Sequence, residues 1–300
     1  MIHFHSSKIL IPVDFSETSL LAIKHGAFIA QLTKGDLFLL HVVNTHYASQ
    51  NMFLPIVTLD MGEIETKASE KLAQLAADVS KEYGVNPQII IKTGSPSSEV
   101  TNVAKEIDAG LIVMGTHGYS PVEELVIGSV ALKVITKSVC PTMAMNSVAE
   151  HKGYHKIVMP IDMGVNSRQK VNFTIELAKK FGAVIHAVGL LGTDEGSDQG
   201  EMETILKQIK ELAAETSVIV HTEVLKNLKN RATGTVNYID SIGADLAVIM
   251  TDQDAELSGF FLGPYSQQII HHSKVPVIAI KPANIFSAED TTSLPGTSGS

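Results

Sequence analysis

Short apolar runs without polar alternation punctuate the first half of the chain: Lys8–Pro12, Leu37–Val43, Gln88–Lys92, Leu111–Met114 and Thr142–Met145. Strands of this kind are covered on both faces, as in a parallel sheet flanked by helices. Helical spacing fills the intervals. Ser16 is the expected N-cap of a helix running to about Leu32, with Gly35 near its C-terminal stop. Ala68, Leu72, Leu75, Ala76 and Val79 keep a helical period from about Met61 to Tyr83, up to Gly84. Further helices are predicted from about Ser98 to Ile107 and from about Gly128 to Thr136. Five strands alternating with four helical segments predict an α/β fold with a doubly wound parallel five-stranded sheet. Ligands of such sheets bind beyond the carboxyl ends of the strands, where the winding reverses.

The pattern occurs twice. Lys8-Ile9-Leu10-Ile11-Pro12-Val13-Asp14 returns as Lys156-Ile157-Val158-Met159-Pro160-Ile161-Asp162, an offset of 148. The stretch from Ile127-Gly128 to Met145 returns from Leu262-Gly263 to Ile280, an offset of 135. The first copy therefore carries about 13 more residues in its middle, within which residues 44–60 form a long insertion suited to a lid or an interface arm. Two tandem domains are expected, 1–147 and 153–283, followed by a disordered tail over 284–300. The apolar last strand of each copy, Thr142–Met145 and Val277–Ile280, predicts an edge that needs covering, by the sister domain or by a second chain in a homodimer.

Composition narrows the function classes. With 44% hydrophobic and 18% charged residues, the chain has material for real cores. No apolar run is long enough for a spanning helix, and no secretory signal is read at the start; no membrane role is expected. The single cysteine, Cys140, excludes a disulfide framework and fits a reducing, cytoplasmic compartment. It reads as a small buried hydrophobe. The net charge of −9 is shared by both halves, so no basic face is offered to nucleic acid. The first half contains ten lysines and no arginine. A phosphate bound there has to be held by backbone N–H groups, hydroxyls, lysine or a metal.

The fourth strand is followed by Gly115-Thr116-His117-Gly118, nine residues, and Gly128-Ser129 at the start of the last helix. Gly115 and Gly118 permit sharp turns and close approach of a ligand. Gly128, Ser129 and Val130 set N–H groups and a hydroxyl at a helix N-terminus, where an anion is favoured. Together they form a candidate cradle for a di- or triphosphate. The blander reading is that the glycines only cap the strand and loosen a loop. Glu123 and Glu124 lie within the span and repel a polyphosphate unless they face outward or hold Mg²⁺.

The segments Ile11-Pro12-Val13-Asp14-Phe15-Ser16, Leu40-His41-Val42-Val43 and Val113-Met114-Gly115-Thr116-His117-Gly118, with Gly128-Ser129-Val130, resemble the universal stress protein family. The resemblance covers nearly the whole chain as a tandem pair. It implies an adenine nucleotide alpha hydrolase-like, Rossmann-like fold and a bound ATP, ADP or AMP, with Mg²⁺ as a further option. It places Pro12, Val13 and Asp14 at adenine or ribose, and Val42 at the base. Gly115, His117, Gly118, Gly128, Ser129 and Val130 line the phosphates, and Met114 is a further cofactor contact. Asp14 also reads as a helix N-terminal acid, and His117 as a solvated loop residue. The implied output is a regulatory or stress response through an unidentified protein partner.

The second copy departs from this pattern. Met250, Gln253 and Pro264 stand where the first copy has Gly115, Gly118 and Ser129. Pro264 has no N–H to offer a phosphate, so one nucleotide per chain is expected. No catalytic residue and no metal cluster is read from the sequence: His271-His272 is a poor bidentate pair and reads as surface, and His3 and His5 read as a mobile end. The alternatives are an interaction or dimerisation module without nucleotide, and a slow ATPase. An adenylating enzyme is disfavoured because Asp14-Phe15-Ser16-Glu17-Thr18 lacks a glycine-rich phosphate loop.

Overall fold

The computed structural model describes residues 3–4, 8–44, 61–117, 127–149, 153–251 and 262–283. The insertion beyond 44, Gly118, Gln253, the Glu123-Glu124 pair and the 284–300 tail lie outside the described residues. The first copy runs β1 (Lys8–Pro12), α1 (Glu17–Thr33), β2 (Asp36–Asn44), α2 (Met61–Tyr83), β3 (Gln88–Gly94), α3 (Pro96–Glu106), β4 (Leu111–Gly115), α4 (Ser129–Lys137) and β5 (Thr142–Met145). The second runs β6 (Lys156–Ile161), a 3₁₀ turn (Ser167–Lys170), α5 (Val171–Phe181), β7 (Val184–Gly192), α6 (Gln199–Ala214), β8 (Val220–Leu228), α7 (Arg231–Ile242), β9 (Leu246–Met250), α8 (Pro264–His272) and β10 (Val277–Ile280).

The ten strands make one sheet in the order β3-β2-β1-β4-β5-β10-β9-β6-β7-β8. Within each copy every pairing is parallel. β1 lies between β2 and β4, and β6 between β7 and β9, so the winding reverses at β1/β4 and β6/β9. The copies join through one antiparallel pairing, with Val277 opposite Ala144 and Ile278 opposite Met143. The apolar edge of each copy is thus covered by its sister. Alternation along each strand sends side chains to opposite faces. Ile9 and Ile11 pack under α1 and α2 in one core layer, and Leu10 joins α3 and α4 in the other; residues of the second copy continue both layers.

The Ser16 cap forms as expected, its side chain accepting from the Ser19 N–H. The stop of α1 falls just before Gly35, as expected. Lys34, not Gly35, takes the left-handed conformation (φ 55°), and its N–H closes on the Ala30 carbonyl. Lysine accepts this strained position because the helix end gains two hydrogen bonds, Gly35 N also donating to Ala30 at 3.0 Å.

The copies are also tied by side chains. His25 Nε2 donates to the Ala149 carbonyl (3.1 Å), which fixes Nδ1 as acceptor of the Tyr154 hydroxyl (2.6 Å). Tyr154 stacks on Phe181 of α5 with ring centroids 4.9 Å apart. At the amino end, His3 and the Phe4 N–H both bond Glu176 of α5, at 2.7 Å each, so His3 is anchored rather than a mobile end.

Candidate functional site

At the β1/β4 reversal, the residues after β1 form a tight turn. Asp14 Oδ1 accepts from Ser16 N (3.0 Å) and Ser16 Oγ (2.5 Å). Asp14 is exposed and organises the entry to α1, as a helix N-terminal acid does. The main chain of Val13 is already engaged: its N–H donates to the Leu40 carbonyl (2.8 Å) and its carbonyl accepts from His41 Nδ1 (2.7 Å). Pro12 is half-buried at the strand end, and Val42 lies two residues beyond Leu40 on β2, packed against the second core layer.

Phe15 sits at φ 66°, a left-handed position that non-glycine residues seldom take. Its ring lies 4.7 Å from that of His41, and Lys71 Nζ of α2 stands 4.2 Å over it. This Phe15–His41–Lys71 group was missed by the sequence reading. A lysine on the helix following the insertion carries no periodic signal that would connect it to β1.

Across the reversal, Met114 is buried at the end of β4, and Thr116 N donates to the Met145 carbonyl (2.8 Å). Thr18 Oγ1 donates to the His117 carbonyl, and Gly128 N donates to the Thr116 carbonyl at 2.8 Å. These two bonds bring the start of α1, the end of β4 and the start of α4 together. The glycine roles change accordingly. A Cβ on Gly115 would lie 2.7 Å from Thr18, so this glycine lets α1 pack on β4. The Gly128 N–H is spent on the loop, and a Cβ there would come within 2.9 Å of the Thr116 carbonyl. The amides free of intrahelical partners are those that follow, beginning with Ser129 and Val130, both exposed at the first turn of α4.

His117 completes this corner. The Thr116 hydroxyl donates to Met145 O (3.2 Å), so His117 Nδ1 donates to Thr116 Oγ1 (2.8 Å). Nε2 is left buried with no hydrogen-bond partner among the described residues. His271 of α8 comes near from the second copy, guided by the β5–β10 pairing and by Asn146 Nδ2, which donates to the Ser273 carbonyl at 2.7 Å. Burial, then the charges of His272 and His117, push the His271 imidazole below its ordinary value. Its Nδ1 is buried without a partner among the described residues, so His271 is not the plain surface residue expected.

Burial pushes the Cys140 thiol up, which keeps it protonated and fits a structural role. Among the described residues no cluster of three or more His, Cys, Asp or Glu could hold a metal ion, and no helix is long and apolar enough to cross a membrane. In the second copy Pro264 occupies the first position of α8, behind Gly263, and Met250 ends β9.

Comparison with known proteins agrees with the duplicated architecture. The profile of the universal stress protein family matches residues 5–145 and again 153–281. Universal stress protein MJ0577 of Methanocaldococcus jannaschii is 30% identical over 151 residues, covering 46% of this chain and 93% of that protein. Universal stress protein Mb2028c of Mycobacterium bovis is 24% identical over 291 residues, covering 91% of this chain and 96% of its own. A solved universal stress protein from Archaeoglobus fulgidus shares the fold at a TM-score of 0.76 and 19% identity, over 93% of this chain and all of that one. With two copies of its domain in tandem, this chain belongs to the universal stress protein family.

Proposed function

We propose that the first copy, residues 1–147, binds one adenine nucleotide, ATP as its Mg²⁺ complex or a lower phosphate, and that binding has a regulatory output in the cytoplasm. The second copy, residues 153–283, binds no triphosphate. The observation that carries this reading is the corner at α4. The Ser129 and Val130 amides stand exposed at the helix N-terminus, and the Gly128 N–H ties that helix start to the Thr116 carbonyl, one residue before His117. Amides at a helix start attract anions, which suits a half that has no arginine to grip a phosphate. Gly118, also assigned to the phosphates, adjoins His117 in sequence.

On the other side of the reversal, Asp14 keeps one carboxylate oxygen for ribose hydroxyls, and the Pro12–Val13 end with Val42 supplies a wall for the base. The nucleotide contributes its phosphate charge. The chain's own residues orient it, and none is assigned to chemistry on it. The test is the nucleotide content of protein purified from cells, by chromatography of the heat-released supernatant, with thermal melting on adding ATP·Mg²⁺. Released adenine nucleotide or a raised Tm supports the reading; neither, at millimolar nucleotide, overturns it in favour of an interaction module.

A further inference from the structure

The seam between the copies uses up the edges of β5 and β10, and among the described residues β3 and β8 are left as the outer strands of the sheet. They stand at equivalent places in the two copies and are built differently. An outer strand presents unpaired N–H and C=O groups to any other strand, and charges or a bulge on it discourage pairing. β8 has both devices. Glu223 and Lys226 are exposed on it, Asn227 takes φ 55°, and its register against β7 slips between Leu190 and Gly192.

β3 has little of either. It pairs with β2 without a break from Gln88 to Gly94 and carries Ile89, Ile90 and Ile91 in a row. Ile89 is 38% exposed, and the other two are half-buried. Its one charged residue, Lys92, is paired with Glu106 of α3 at 3.3 Å. The α2 side of this edge is open as well. A groove of about 680 Å³ lies between α2 and β3, lined by Gly62, Thr66, Ser69 and Ala73 of the helix and Ile91 of the strand, with Glu65 and Glu70. Positions 62, 66, 69 and 73 recur at helical spacing, so one stripe of α2 is free of bulk where the sheet stops. Glu65 accepts from the Thr93 hydroxyl at 2.6 Å, which fixes the helix over the strand. Side chains of a strand laid against β3 alternate between its faces, and those on the α2 side enter this groove.

One occupant suits both features: the same strand of a second chain. Laid antiparallel about Ile90, β3 sets Ile90 opposite its own copy, Ile89 opposite the second chain's Ile91, and Gln88 opposite the second chain's Lys92. Every isoleucine meets an isoleucine, and no charge meets its like. Ile89 and Ile91 share a face by alternation, so each chain's pair falls against the groove of the other. The molecule already uses this mode at its centre, where β5 and β10 join antiparallel with Met143 opposite Ile278. Pairing about a twofold axis is closed, and the guarded β8 offers no second site, so growth stops at two chains.

We propose that two chains join through their β3 edges, antiparallel about Ile90, into one sheet continuous across both. The inference is independent of the nucleotide reading of the first copy.

The test is sedimentation velocity of the full chain from about 1 to about 100 µM, with hydrogen exchange of residues 88–93 at both ends of that range. The wild type sediments as a dimer at the upper end, and the 88–93 amides exchange more slowly there than at the lower end. Ile89→Lys sets an ammonium opposite the second chain's Ile91 and raises the dissociation constant at least about tenfold. Thr222→Lys, on the exposed edge of β8, leaves it unchanged. Hydrogen exchange is read on the wild type and decides the matter should Ile89→Lys fail to fold. A chain that stays monomeric at about 100 µM overturns the proposal, as does exchange of 88–93 that ignores concentration. A dimer that Ile89→Lys leaves intact overturns it too, and one dissolved by Thr222→Lys places the contact at β8 instead.

Discussion

Gly115 at the end of β4 and Thr18 in the first turn of α1 are packed so closely that a Cβ on the glycine would lie 2.7 Å from both Cβ and Oγ1 of the threonine. The same Thr18 hydroxyl holds the His117 carbonyl, so this contact sets the spacing between the two walls of the site. Gly115→Ala therefore destabilises the fold by about 1–3 kcal/mol through overpacking. Urea denaturation reads this as a lower midpoint with an unchanged slope. A midpoint equal to that of the wild type would show that the contact gives way freely.

The Tyr154 hydroxyl supplies the donor that His25 Nδ1 needs inside the seam between the copies. Tyr154→Phe keeps the ring stacked on Phe181 and removes that hydrogen bond. The expected cost is about 1–3 kcal/mol, the usual penalty for a buried polar group stripped of its partner. Equilibrium unfolding followed by circular dichroism checks it.

Stability should decline on the acid side. His271 and His186 are both held below their ordinary value of 6.5, chiefly by burial and then by neighbouring charge: His272 and His117 for the first, His221 and Lys156 for the second. The unfolded chain takes up these protons more readily than the folded one. Their contribution is thus complete above pH 6.5 and is lost as the pH falls through the lowered native values. Melting temperatures measured down from neutral pH fall less steeply in His271→Gln than in the wild type. Equal slopes would mean that His271 titrates as an exposed histidine.

The fold was largely legible because its signals are local or repeated. The apolar runs at Lys8–Pro12 and Leu111–Met114 mark strands buried on both faces, and the return of the first as Lys156–Asp162 marks the second copy. The need to cover Thr142–Met145 was also visible; that β10 meets it from the same chain was one of two open choices. What stayed hidden depends on distant pairs. His25 and Tyr154 are 129 positions apart, and neither departs from the pattern of its neighbourhood. Glycine roles were legible as positions but not as purposes. At Gly115 the missing side chain makes room for Thr18, and at Gly128 for a carbonyl, neither of which spacing alone can show. Arg231 and Glu195 meet only because β7 and β8 are neighbours in the sheet.

The central claim is that main-chain amides at the start of α4 hold an anionic cofactor, and Ser129→Pro removes one of them. The fold should tolerate the change: Gly128 already has the extended geometry (φ −57°, ψ 144°) that suits a residue before proline, and Pro264 occupies the equivalent position behind Gly263. Calorimetric titration with ATP·Mg²⁺ should give one equivalent per wild-type chain. In Ser129→Pro the affinity should fall about tenfold or more, the scale of one hydrogen bond to a charged group, with an unchanged melting temperature. Wild-type protein that takes up no ATP, or a folded Ser129→Pro variant that binds it as tightly, would contradict the account.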